Sequence, residues 1–99
     1  MNIVENLNGS RLCISLEGRL DTTTAPELEK VLSGSLDGVT ELAFDMAALD
    51  YLSSAGLRIL LGAQKQMNEQ GSMKVMNVNG TIMEIFEVTG FVDILTIES

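Results

Sequence analysis

Residues 49–62, LDYLSSAGLRILLG, run from an apolar lead-in to two adjacent serines, Ser53 and Ser54, then to Ala55 and Gly56, and on into a strongly helical pattern. Serine favours helix N-caps because its side-chain oxygen accepts hydrogen bonds from first-turn N–H groups that have no partner inside the helix. One of the pair is therefore expected at the mouth of a helix, on a loop, with its hydroxyl near solvent. Two readings stand on this local pattern: a plain N-cap, or a serine presented to another protein.

Downstream, the spacing predicts a helix from Ser54 to about Gln70. Arg58, Gly62, Lys65, Gln66 and Glu69 fall on one exposed stripe, and Leu57, Ile59, Leu60, Leu61, Ala63 and Met67 cover the remainder. Gly71 is expected as a left-handed C-cap. Met73 to Val78 reads as a strand. Asn79-Gly80 opens a last helix with Ile82, Met83, Ile85 and Phe86 inward, Gly90 stops it, and Ile94 to Ile97 reads as a short final strand.

Upstream, Leu42, Phe44 and Met46 carry a strand, and residues 45–52 lead from it to the serines. Thr24-Ala25-Pro26-Glu27 has the form of a capping box, with proline in the tolerated first turn. The helix behind it carries Ala25, Leu28, Val31 and Leu32 on one stripe and ends near Gly34 or Gly38. Ile3 to Leu7 and Arg11 to Leu16 read as a hairpin around Asn8-Gly9, with Leu12, Ile14 and Leu16 facing inward. Gly18 and the run Asp21-Thr22-Thr23 make a loop.

The resulting order is β-β-α-β-α-β-α-β. It is an α/β arrangement with a mixed, mostly parallel sheet of four to five strands packed with amphipathic helices, in one domain over residues 1–99. Loops leaving the carboxyl ends of parallel strands gather on one rim, where partners usually bind. Asp21, after the second strand, and residues 45–54, after the third, share that rim if those strands are parallel.

Composition narrows the chemistry. The chain has 99 residues, 45% of them hydrophobic, and a mean hydropathy of +0.24, which indicates a folded domain. No apolar run approaches the ~20 residues of a membrane span and no basic, apolar leader opens the chain, so a cytoplasmic protein without membrane insertion is expected. The formal charge of −8 repels nucleic acid and anionic lipid and suits a partner with a basic patch. The single cysteine, Cys13, is expected in the core, as are most of the six methionines.

There is no histidine, which removes Ser–His catalysis, histidine-ligated metals and the usual base near neutral pH. Ser54-x-Gly56 is half of a nucleophile elbow, but Leu52 stands where the first glycine belongs and nothing activates the hydroxyl. Glycine-rich phosphate loops are missing, as is the paired acid after the first strand that a phosphoaspartate receiver needs. Asp21, Asp45, Asp50 and Asp93 are explained by turns and caps and lack metal-ligand spacing. No cofactor and no enzymatic activity are expected. A phosphate on a serine at the helix mouth, in contrast, is physically coherent. The modification adds about −1.5 to −2 charges, which the helix N-terminus tolerates and a covering partner does not.

Gly18-Arg19-Leu20-Asp21 followed by Thr24-Ala25, then residues 49–57, then Phe86-Glu87-Val88-Thr89-Gly90-Phe91 resemble, in order, three segments of the STAS domain, the fold of bacterial anti-sigma factor antagonists. The likeness covers nearly the whole chain. It implies a partner-switching regulator, not an enzyme, that binds an anti-sigma factor with serine kinase activity and frees the sigma factor. It also implies that phosphorylation blocks binding and that a PP2C-type phosphatase restores it. Aligned on Gly56, Ser54 takes the phosphorylated position, Ser53 stands where the family's aspartate usually does, and Ala55 replaces a second hydroxyl residue.

The implied partner surface comprises Asp21, Thr22, Thr23, Thr24, Tyr51, Ser53, Ser54, Ala55, Arg58 and Lys65. A monomer is expected. A different role within the same resemblance is an unphosphorylated STAS module, as accessory subunit of a lipid or anion transporter or as a signalling scaffold.

Overall fold

A computed structural model describes residues 1–98 of the chain. The elements are β1 (Asn2–Asn8), β2 (Arg11–Leu20), α1 (Ala25–Ser35), β3 (Glu41–Leu52), α2 (Ser54–Gln70), β4 (Ser72–Met76), α3 (Gly80–Thr89), a short 3-10 turn (Phe91–Asp93) and β5 (Ile97–Glu98). The expected order of strands and helices is the observed one. The strands form a five-stranded sheet in the order β1-β2-β3-β4-β5, antiparallel between β1 and β2 and parallel elsewhere.

Each strand joins the sheet beside the one before it. Right-handed crossovers that always step the same way lay α1, α2 and α3 on one face. Alternation along the strands agrees. Leu12, Ile14, Leu42, Phe44, Met73 and Val75 are buried, and Cys13, Ser15, Ala43, Asp45, Lys74 and Met76 between them are half-buried on the helix-free face. Cys13 is therefore not a core residue as expected. Partial burial raises its thiol pKa, with a smaller push from the Asp45 charge and an opposing one from Lys74.

The hairpin turns on Gly9-Ser10, with Asn8 paired to Arg11. Gly9 has φ +65 and Ser10 is not in the positive region, as in a turn of type II′, which wants glycine at its first central position. β2 continues past the expected loop at Gly18. Register shifts at Ser15/Glu17 and Gly18/Arg19, with Gly18 at φ +101, let the strand bulge and return Leu20 to the core. β3 runs to Leu52 beside it, so the expected lead-in to the serines is strand.

Gly71 closes α2 through Gly71 N–H to Met67 O at 2.7 Å, but its φ of 171 is extended rather than left-handed. Glycine is needed there for space, since a Cβ would run into the Thr40 carbonyl. At α3, the Asn79 side chain accepts from Ile82 N–H at 2.9 Å and donates to Leu49 O at 2.9 Å, which ties the helix start to β3. Gly90, at φ +80, ends α3 as expected.

Candidate functional site

The carboxyl ends of β2 and β3 lie side by side, with Leu20 paired to Leu52 and Arg19 to Tyr51. Both chains then leave the sheet on the same rim, β2 into the Asp21–Thr24 turn and α1, β3 into Ser53 and α2. Ser53 N–H donates to Leu20 O at 2.9 Å, so the mouth of α2 is held to the end of β2.

Ser53 is the N-cap residue of α2, in extended backbone, and its carbonyl accepts the first helical bond from Leu57 N–H at 3.0 Å. Its hydroxyl makes no capping bond and is buried without a partner among the described residues. Ser54, the first helical residue, is exposed. The two serines are thus separated by environment: Ser53 turns its oxygen inward, and Ser54 offers its own to solvent. The first-turn N–H groups of α2 are left without a side-chain cap, which favours negative charge at this helix mouth. Behind the serines, Gly56 is buried against Leu20 and Leu52.

The neighbouring turn is organised by Asp21, not by a capping box. Asp21 Oδ1 accepts from Thr23 N–H (3.0 Å), Thr23 Oγ1 (2.7 Å) and Thr24 N–H (3.2 Å). Thr24 precedes α1 in helical backbone and makes no side-chain cap. Its hydroxyl instead donates to Arg19 O at 2.7 Å and accepts from Asp21 N–H at 2.8 Å. The Thr24 N–H that Glu27 was expected to take belongs to Asp21. Hydrogen bonding, chiefly from the Thr23 hydroxyl, holds the Asp21 carboxyl below its ordinary pKa.

Of the residues expected on the partner surface, the structure brings together Asp21, Thr22, Thr23, Thr24, Tyr51, Ser53, Ser54 and Ala55 at the rim. Arg58, exposed one turn beyond Ser54, borders a groove of about 450 Å³ between α1 and α2, lined also by Thr22, Pro26, Glu29, Ile59 and Gly62. Lys65 shares that face but sits about 16 Å along the helix from Ser54 at 1.5 Å per residue. Two features escaped sequence reasoning. The Arg19 guanidinium stacks 4.3 Å from the Tyr51 ring centroid, with its Nε 3.7 Å from Asp21 Oδ2. The groove itself is the other. Both depend on the register of β2 against β3 and on how α1 lies against α2, and local sequence patterns carry neither.

No helix among the described residues is long and apolar enough to cross a membrane. The family model of the STAS domain matches residues 2–99. A Bordetella bronchiseptica protein, BtrV, named as a candidate anti-sigma factor antagonist, is 34% identical over 88 residues, covering 87% of this chain and 76% of its own. A Staphylococcus aureus anti-sigma-B factor antagonist is 31% identical over 84 residues, covering 83% of this chain and 78% of its own. The fold is also that of the anti-sigma factor antagonist SpoIIAA. Its unphosphorylated form superposes with a TM-score of 0.85 at 18% identity over 99% of this chain and 89% of that one. Its phosphorylated form gives 0.77 at 18% identity over 99% and 92%. By sequence and by fold, the chain belongs to the STAS domain family, in the company of the anti-sigma factor antagonists.

Proposed function

We propose that this protein is a partner-switching antagonist whose unphosphorylated form binds an anti-sigma factor, itself a serine kinase of the cytoplasm, and so releases a sigma factor. Phosphorylation of Ser54 ends the association, and a PP2C-type phosphatase restores it. The observation that carries this reading is the division of labour at the helix mouth: Ser54 is exposed at the first position of α2, and Ser53 buries its hydroxyl. A phosphate on Ser54 meets an uncapped helix N-terminus, so the monomer keeps its fold. A partner seated on the rim has to desolvate that dianion, and the complex is lost. The role needs no catalytic step by this chain. That SpoIIAA exists in phosphorylated and unphosphorylated forms supports the same cycle here.

The test is phosphopeptide mapping after incubation with the cognate anti-sigma factor and ATP, with binding measured before and after. Phosphate on Ser54 accompanied by loss of binding is expected. Phosphate on Ser53 alone would overturn the assignment, and binding that is indifferent to phosphate would overturn the switch.

A further inference from the structure

Arg58 stands one helical turn after Ser54, and α2 is unbroken from Ser54 to Gln70. Residues four apart on a helix are surface neighbours, with Cβ atoms about 5–6 Å apart. Every Cα–Cβ bond also leans toward the helix start, so a long side chain covers the turn that precedes its own Cα. The turn that Arg58 covers is the one that opens with Ser54. Both residues are exposed. Among the described residues the Arg58 guanidinium makes neither an ion pair nor a stack on an aromatic ring.

The other cations are placed elsewhere. Arg19 lies over Tyr51 beside Asp21, Arg11 pairs with Glu41, and Lys74 pairs with Glu98. Lys65 is about 16 Å along α2 from Ser54. Of the residues that line the groove between α1 and α2, Arg58 is the sole cation and Glu29 the sole anion, and the two make no ion pair. A chain of net charge −8 thus keeps one unengaged guanidinium on the helix face next to the serine.

We propose that Arg58 changes partner with the state of Ser54: it is free for the anti-sigma factor while the serine is bare, and it is drawn onto the phosphate once the serine is modified. The inference rests on Ser54 as the modified residue and gives the switch a second arm. Acid before base at i, i+4 is the favourable order on a helix, and guanidinium with phosphate makes a strong, forked pair. The modification adds about −1.5 to −2 charges and, in the same event, withdraws a positive charge from the surface that the partner meets.

The chain to measure carries phosphoserine placed at position 54 during synthesis, so that no kinase is needed. At about 0.1 M ionic strength, a phosphorus-31 NMR titration is expected to place the second pKa of the phosphate about half a pH unit lower with Arg58 than in Arg58→Gln, because a neighbouring cation favours the dianion. The helix end acts alike on both chains, so the difference reads Arg58 alone. Arg58→Lys should recover part of the shift. Lys65→Gln should leave the value where it is in the parent, since Lys65 lies beyond the screening length of about 10 Å. Equal values with and without Arg58 would overturn the proposal, and so would an effect of Lys65→Gln as large as that of Arg58→Gln. Either result leaves the switch itself standing. Failure of the anti-sigma factor to phosphorylate Ser54, in contrast, would sink the switch and leave these titrations unchanged.

Discussion

The Cβ that Gly56 lacks would lie 2.7 Å from Leu20 Cγ and 2.5 Å from Leu52 Cδ1. The first turn of α2 thus rests directly on the last core residues of β2 and β3. Alanine is the better helix former by about 1 kcal/mol. Overpacking costs typically 1–3 kcal/mol, and both leucines are at most 2% exposed, with little freedom to swing aside. The overlap should win. Gly56→Ala is expected to lose up to about 2 kcal/mol in urea unfolding; a variant more stable than the parent would show that the leucines give way.

Leu60 is fully buried on the sheet-facing side of α2. Leu60→Ala removes a packed side chain and leaves a cavity, for an expected loss of about 2–5 kcal/mol. A change under about 0.5 kcal/mol in the denaturant midpoint, scaled by the slope, would contradict the assigned face.

The two serines should respond oppositely. Ser53 Oγ has no hydrogen bond to lose, so Ser53→Ala should change stability by less than about 0.5 kcal/mol, well under the usual cost of losing a serine cap. It should still be phosphorylated. Ser54→Ala should fold, bind the anti-sigma factor and resist the kinase. Ser54→Asp brings one charge where the phosphate brings nearly two, so its binding should fall between those of the free and phosphorylated proteins. Thermal melts, kinase assays and titration calorimetry on the three variants check the set.

Asp21 makes the rim sensitive to acid. Its folded pKa is lowered, first by the Thr23 hydroxyl, so the carboxylate contributes stability that is present above its unfolded value near about 3.9. That contribution is lost as the pH falls through the lower folded value. The difference in melting temperature between wild type and Asp21→Asn should be flat around neutrality and shrink below about pH 4. A difference that grows on acidification would reverse the sign and refute the account.

Arg58 is exposed on the groove beside Ser54 and makes no ion pair among the described residues. Arg58→Glu should therefore leave thermal stability within about 0.5 kcal/mol while weakening the anti-sigma factor complex. Lys65→Glu, two turns further along, should weaken it less. Equal affinities for wild type and Arg58→Glu would reduce the residue to a solubilising charge.

The parts of the fold that were legible in the sequence are those written in local periodicity. α2 reads correctly from Ser54 to Gln70 because its apolar stripe is long and ends at a glycine, and Asn79 and Gly90 bracket α3 as punctuation. The failures share a cause, which is that a distant segment decides the outcome. Gly18 looks like a loop residue until β3 pairs beside it and makes it a bulge. The Thr24-Glu27 box looks sound until Asp21 takes the N–H that it needs. Gly71 marks the right position for the wrong reason, since the constraint comes from Thr40 and not from backbone handedness. At the site, the helix mouth at Ser54 was visible in the switch from the serine pair to helical periodicity, but the orphaned Ser53 hydroxyl and the Arg19–Tyr51 stack exist only once β2 and β3 are in register.

The order of strands across the sheet is also their order along the chain. No strand has to be threaded between two that already pair, and none waits for a later segment to complete it. As a ribosome delivers this chain from its amino end, β1 and β2 can close into their hairpin first. β3 and β4 can then each dock on the edge left by its predecessor, with the intervening helix folding over the same face. Growth by accretion adds each new strand to the same side of the sheet, opposite β1, and the strand that closes that side, β5, is the short one.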